Sequence, residues 1–158
     1  MSDAAISRRS FPSPFGFITL TAEAEKITSV ELCKKVTSLG SSKVLDEAGK
    51  QLALYLKGAL PKFSLPLKVS GTPFQLAVWK AIAKVPFGKT ISYGEIAAGI
   101  GKPLASRAVG AAVGANPTPL LVGCHRVLGS NGSITGYSGG QGIKTKKLLL
   151  EHEGISYE

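Results

Sequence analysis

Two prolines, a short apolar run and a glycine lead directly into a Cys-His-Arg triplet, in the stretch Asn116-Pro117-Thr118-Pro119-Leu120-Leu121-Val122-Gly123-Cys124-His125-Arg126-Val127. No other stretch constrains the fold so tightly. The prolines stiffen the approach, because each fixes φ and has no N–H to donate. Leu120 to Val122 then reads as a buried strand or extended segment that carries one thiol to a fixed place. Beyond it, Gly129-Ser130-Asn131-Gly132-Ser133 has turn composition, and Gly136-Tyr137-Ser138-Gly139-Gly140 is a second glycine-rich loop. A reactive triplet between an apolar anchor and two such loops is the strongest functional signal in the chain.

The rest of the chain has to support that segment. Its 158 residues allow one domain, or a small domain beside a modest one, and 44% apolar content is enough for a core. Nineteen basic against ten acidic residues give a net charge of +9 with histidine neutral. That excess suits nucleic acid or another polyanion, or serves solubility alone. Two cysteines, Cys33 and Cys124, make no disulfide framework; Cys33 reads as a small structural thiol. Nothing resembles a signal peptide and no run reaches membrane-spanning length, so a reducing, cytoplasmic setting without a membrane is expected. The two histidines, His125 and His152, and the absence of a Cys-x-x-Cys pair argue against a metal site, and no cofactor is expected.

Patterning divides the chain into residues 1–70 and 71–158. In the first part, Phe15 to Leu20 and Ile27 to Leu32 alternate as a hairpin of a small antiparallel sheet. Ser41-Ser42 offers caps for a helix whose apolar face is Val44, Leu45, Ala48, Leu52, Tyr55 and Leu56, stopped by Gly58 and Pro61. Phe63 to Val69 is an edge strand or an extended linker. The second part is mainly helical. Thr72-Pro73-Phe74-Gln75 and Ser92-Tyr93-Gly94-Glu95 are capping boxes. Trp79 reads as core. A helix from about Leu104 to Val113 turns Leu104, Ala105, Ala108, Val109, Ala112 and Val113 inward and leaves Ser106, Arg107, Gly110, Ala111 and Gly114 outward. The fold class is therefore α+β, a small sheet with one helix followed by a helical domain that contains a helix-turn-helix. The outer face of its second helix is nearly bare, which suits docking on a groove with little sequence readout. A last helix from about Ile143 to Glu153 has Lys144, Lys146 and Lys147 in solvent or facing phosphate. Glu153 at its end gains nothing from the helix dipole, so a buried Glu153 needs a basic partner.

A thiol attacks carbon only after losing its proton. His125 is adjacent, but neighbours in a strand point to opposite faces, so a turn or a bridging water would be needed. Glu153 can hold the imidazole tautomer in a Cys-His-acid relay. On the residues alone, a structural or redox-sensing Cys124 stays open.

The blocks Thr72-Pro73-Phe74-Gln75, Pro86-Phe87-Gly88-Lys89-Thr90, Ser92-Tyr93 and Ser106-Arg107-Ala108-Val109-Gly110 continue through Asn116-Pro117, Cys124-His125-Arg126-Val127, Gly136-Tyr137-Ser138-Gly139-Gly140 and His152-Glu153-Gly154. In this order they resemble the O6-alkylguanine-DNA alkyltransferases over residues 72 to 155. The resemblance implies direct-reversal repair: one irreversible alkyl transfer from guanine O6 in duplex DNA to Cys124, after base flipping through a minor-groove helix-turn-helix. It implies His125 acting through a water and oriented by Glu153, Tyr93 donating a proton to guanine N3, and Asn116 bracing the turn. Tyr137, Ser138, Gly139 and the carbonyls of Cys124 and Val127 would surround the base. Arg107 would fill the gap left by the flipped nucleotide. Thr72, Ser92, Ser106, Ala108, Gly110 and Arg126 would contact DNA. A monomer with no obligate protein partner is expected. One departure stands out: Gly123 occupies a position where the family usually has proline. Gly123→Pro is expected to preserve or raise the transfer rate. A non-catalytic lesion-binding protein and a cysteine hydrolase are the competing readings, and the second leaves Arg107 on a bare helix face unexplained.

Overall fold

In the computed structural model, which describes residues 5–137 and 139–157, the chain runs β1 (Ile6–Phe11), β2 (Phe17–Glu23), β3 (Lys26–Cys33), β4 (Ser38–Leu39) and α1 (Lys43–Leu56). It continues as α2 (Pro73–Ala83), β5 (Ile91–Ser92), α3 (Tyr93–Gly99) and α4 (Ser106–Gly114). A 3-10 turn (Cys124–Arg126), β6 (Val127–Leu128) and α5 (Ile143–His152) complete it.

The expected hairpin is β2 with β3, embedded in a four-stranded sheet of order β3-β2-β1-β4. β1 was not anticipated. Its sequence Ile-Ser-Arg-Arg-Ser-Phe carries no apolar alternation, and Ile6 is 51% exposed. It is a strand because it pairs along its whole length with β2, Ile6 opposite Glu23 through Phe11 opposite Ile18. The sheet sets Ile18, Leu20, Ala22, Ile27, Val30 and Leu32 against Val44, Leu45, Ala48, Leu52 and Tyr55 of α1. Ser42 caps α1 by accepting from the Leu45 N–H. The segment Phe63 to Val69 is an extended linker: only Leu67 bridges to Ile27, with Ile27 N–H donating to Pro66 O and Lys68 N–H to Ile27 O, both at 2.8 Å.

Both capping boxes form, at Thr72 with Gln75 and at Ser92 with Glu95. α2, α3 and α4 pack around Val78, Trp79, Ile82, Ile96, Ala97, Val109, Ala112 and Val113. Trp79 is core, and its indole N–H donates to Ala112 O at 2.8 Å. α3, the turn through Gly101 and α4 make the helix-turn-helix. α4 starts two residues later than expected: Leu104 precedes it and is 99% exposed, and Ala105 is its N-cap. Ala108, expected inward, is exposed.

The two halves interlock. Leu120 and Leu149 from the second half are fully buried in the core of the first, and Val30 N–H donates to Pro117 O at 3.0 Å. This docks the thiol-bearing segment against β3. Cys33 and Cys124 are both free thiols. Among the described residues no helix is long and apolar enough to cross a membrane, and no cluster of three or more His, Cys, Asp or Glu can hold a metal.

Candidate functional site

The segment that carries Cys124 is a chain of turns, not the extended run expected. Leu120 has φ +76, a left-handed conformation that is unusual for a bulky side chain. Pro119 bridges to Val122, and Val122 N–H donates to Thr118 O at 2.9 Å. Gly123 sits at φ −73 and ψ 64, an inverse γ-turn in which Cys124 N–H donates to Val122 O at 2.7 Å. Asn116 Nδ2 donates to the same carbonyl at 3.0 Å, while its Oδ1 accepts from Thr118 N–H at 3.0 Å. Hydrogen bonds within the segment replace those a sheet would have supplied. The 3-10 turn then separates the directions of Cys124 and His125 by about a third of a revolution rather than a half.

His125 Nε2 lies 2.6 Å from Glu153 Oε2. An ionised carboxylate only accepts, so the proton resides on Nε2 and leaves Nδ1 with a lone pair. That Nδ1 is buried and has no hydrogen-bond partner among the described residues, so no direct bond to the thiol exists. Burial pulls the imidazole below its ordinary range, although Glu153 opposes this. The histidine is therefore a neutral base.

Glu153 is the hub. Its Oε2 accepts from His125, from Arg126 Nη2 at 3.0 Å and from Tyr55 Oη at 2.7 Å. Its Oε1 accepts from Arg126 Nε at 2.8 Å and from Gly88 N–H at 3.0 Å. Burial pushes this carboxyl upward, but the hydrogen bonds from His125, Arg126 and Tyr55 outweigh it and hold the group well below the usual carboxylate range. Arg126 is thus the basic partner a buried Glu153 required. This corrects its expected place on DNA: Arg126 is buried, and its Nη1 donates to Val85 O at 2.7 Å. Tyr55 stays protonated, because burial and then the Glu153 charge raise it.

Burial raises the Cys124 thiol, while Asn116, Tyr137 and the charge of Lys146 pull it back down. The Tyr137 hydroxyl makes no hydrogen bond of good geometry among the described residues, so it acts on the sulfur as a nearby dipole. Lys146, expected at the surface, is fully buried. Its Nζ donates to Val127 O at 2.7 Å and to Gly136 O at 3.0 Å. Burial lowers it to about 8, against the pull of Cys124. The signal for its burial was helical phase: Lys146 shares a face with Leu149 and Leu150 at i+3 and i+4. Tyr55 had a signal too, since a buried tyrosine hydroxyl requires a partner.

Cys124 opens into a cavity of about 550 Å³ whose lining includes Tyr93, Ser106, Arg107, Gly110 and Tyr137. That volume is in the range that holds small ligands. One wall is therefore the exposed face of α4. Arg107 and Ala108 are exposed beside it, and Thr72 and Ser92 cap α2 and α3 through their hydroxyls. Gly139 packs against the Tyr137 ring, where a Cβ would come within 2.9 Å. Ser138 lies outside the described residues. The Val127 carbonyl, expected to face a base, already accepts from Lys146 and has one further lone pair to offer. Gly123 leaves room for Arg126: a Cβ there would meet its guanidinium at 3.0 Å.

A profile described as the DNA binding domain of 6-O-methylguanine DNA methyltransferase matches residues 73–155, and one for its ribonuclease-like domain matches residues 6–69. The methylated-DNA–protein-cysteine methyltransferase of Methanosarcina acetivorans is 42% identical over 151 residues, covering 91% of this chain and 96% of that protein. The inducible enzyme of Bacillus subtilis is 50% identical over 112 residues, which are 71% of this chain and 63% of that protein. The O6-methylguanine methyltransferase of Mycobacterium tuberculosis superposes with a TM-score of 0.83 at 40% identity, over 94% of this chain and 93% of that one. A structure of Mycobacterium tuberculosis OGT in complex with DNA gives 0.81 at 41% identity, covering 93% and 92%.

Proposed function

The chain belongs to the methylated-DNA–protein-cysteine methyltransferase family, and we propose that it moves an alkyl group from guanine O6 in duplex DNA to Cys124 Sγ, once per molecule. The observation that carries this reading is the shared cavity: the thiol and the exposed face of α4 line the same space. A base stacked in a duplex cannot reach a buried sulfur, so the nucleotide has to be flipped. Small residues on α4 let it approach a groove floor closely, and Arg107, exposed beside the cavity, fills the vacated stack. Ser106, Ala108 and Gly110 lie along the groove, with Thr72 and Ser92 at the phosphates.

His125 Nδ1 takes the thiol proton through one water, and the resulting imidazolium is held by Glu153. The thiolate attacks the alkyl carbon, the carbon–O6 bond breaks, and Tyr93 protonates N3 of the departing guanine. Asn116 fixes the turn; Tyr137, Ser138, Gly139 and the carbonyls of Cys124 and Val127 surround the base. A thioether has no labile carbonyl for water to attack, so the sulfur is not regenerated. Residues 71–158 carry the chemistry, and residues 1–70 are their scaffold, which also lends Tyr55. The protein works as a monomer inside the cell, without an obligate protein partner.

The test is a titration of duplex bearing O6-methylguanine. Repaired guanine rises to one equivalent per protein and stops, and Cys124→Ala binds the duplex without repairing it. Continued turnover would indicate a hydrolase. Tight binding by the unaltered protein with no repair would indicate a lesion-binding module.

A further inference from the structure

Tyr93 and Thr135 face each other at the cavity, one at the start of α3, the other on the loop between β6 and α5. Their hydroxyl oxygens are 2.7 Å apart, and either can be the donor. Nothing in the sequence singled out Thr135. Its support is firm, because the next residue, Gly136, accepts a hydrogen bond from the buried Lys146. A threonine is also stiff about χ1.

A phenol and an aliphatic hydroxyl have one proton each. During transfer the phenolic proton is committed to guanine N3. The 2.7 Å contact then persists only with Thr135 donating and the Tyr93 oxygen accepting. We propose that Thr135 is a positioning residue for Tyr93: its hydroxyl donates to the phenolic oxygen, turns the Tyr93 proton toward the flipped base, and stabilises the charge that appears on that oxygen as the proton leaves. This rests on the reading of Tyr93 as the proton donor given above.

The step balances. The sulfur–carbon bond forms as the carbon–O6 bond breaks, and the electron pair of the broken bond goes to guanine. The Tyr93 proton passes to N3, leaving neutral guanine and a phenolate. Thr135 keeps its own proton. Tyr93 later regains a proton from solvent, and His125 gives up the one it took from the thiol. A hydrogen bond to a charged oxygen is stronger than one to a neutral oxygen. The Thr135 bond therefore strengthens toward the transition state, which is the condition for accelerating a reaction.

The experiment measures single-turnover transfer at saturating lesion duplex, together with duplex affinity, for the unaltered protein, Thr135→Val, Thr135→Ser, Tyr93→Phe and the Thr135→Val/Tyr93→Phe double variant. Thr135→Val, which keeps the shape and removes the donor, is expected to slow transfer roughly tenfold with affinity unchanged. Thr135→Ser is expected to restore most of the rate. In the Tyr93→Phe background, Thr135→Val is expected to change nothing. A Thr135→Val rate equal to or above that of the unaltered protein overturns the inference, the faster result marking the pair as a latch on base entry. An equal loss in both backgrounds overturns it as well, by placing Thr135 in pocket shape rather than proton delivery. If the unaltered protein forms no Cys124 adduct, the premise fails, independently of how Thr135 behaves.

Discussion

The sheet with α1 and the region around the 3-10 turn bury opposite kinds of side chain. The first hides Ile18, Leu20, Ile27, Leu45 and Leu52; the second hides His125, Arg126, Lys146 and Glu153 beside Cys124. Apolar burial is favourable almost wherever shapes fit, whereas a buried charge is costly unless every group is partnered. Here the partners are present: five donors on Glu153 and two carbonyls on Lys146. The sheet region contributes stability and one hydroxyl, that of Tyr55. The turn region contributes chemistry, and its polar groups depend on one another.

Glu153→Gln should show the contrast most strongly. It leaves Arg126 buried without a counter-charge, a loss of about 3–5 kcal/mol in denaturant unfolding, and it slows transfer in the folded fraction. Leu20→Ala is expected to cost about 2–5 kcal/mol while transfer per folded molecule stays unchanged; an equal slowing there would erase the distinction. The acid limb sharpens it. The folded-state carboxyl of Glu153 is depressed, so its contribution is present above the ordinary carboxylate range and fades as pH falls toward the folded value. Glu153→Gln should lose that part of the acid dependence.

Lys146→Met comes next. Without the cation the thiol is harder to ionise, and transfer at neutral pH is expected to fall roughly tenfold. In the unaltered protein Lys146 loses its charge as pH rises through about 8. Its help to the thiolate is thus present below that value and lost above it. A rate profile that bends near that pH only in the unaltered protein is the expected result; superimposable profiles would remove Lys146 from the chemistry.

Smaller effects follow at the contact between the regions. Tyr55→Phe removes one of five donors to Glu153 and should cost about 1.5 kcal/mol, with a modest change in rate. Gly123→Pro has a compatible φ of −73, but its Cβ would crowd Arg126. In stability this crowding is expected to cost about 1 kcal/mol, measurable as a lower unfolding midpoint, while the transfer rate of the folded protein is still expected to be preserved or raised.

Legibility in the sequence followed locality. Thr72 with Gln75 and Ser92 with Glu95 were readable because a capping box is complete within four residues. The face of α1 was readable because its apolar period repeats over four turns. β1 was not, since its strand character comes from pairing with β2 rather than from its own side chains. Leu104 was drawn into α4 by hydrophobicity alone, though it precedes the helix and points to solvent. At the site, Cys124, His125 and Glu153 stood out as chemical groups. The resemblance already implied that Glu153 orients His125; the γ-turn at Gly123 and the rest of the hub were not legible, because Arg126 and Tyr55 lie 27 and 98 residues from Glu153. Charge misled at Arg126 and Lys146: a basic residue reads as surface until the structure shows what it satisfies.

The most direct measurement is the mass of the Cys124 peptide after the folded protein meets duplex DNA carrying O6-methylguanine. The account predicts one added methyl group on Cys124, none on Cys33, and an equal amount of restored guanine in the DNA. An unmodified Cys124 peptide from folded, lesion-bound protein would contradict it.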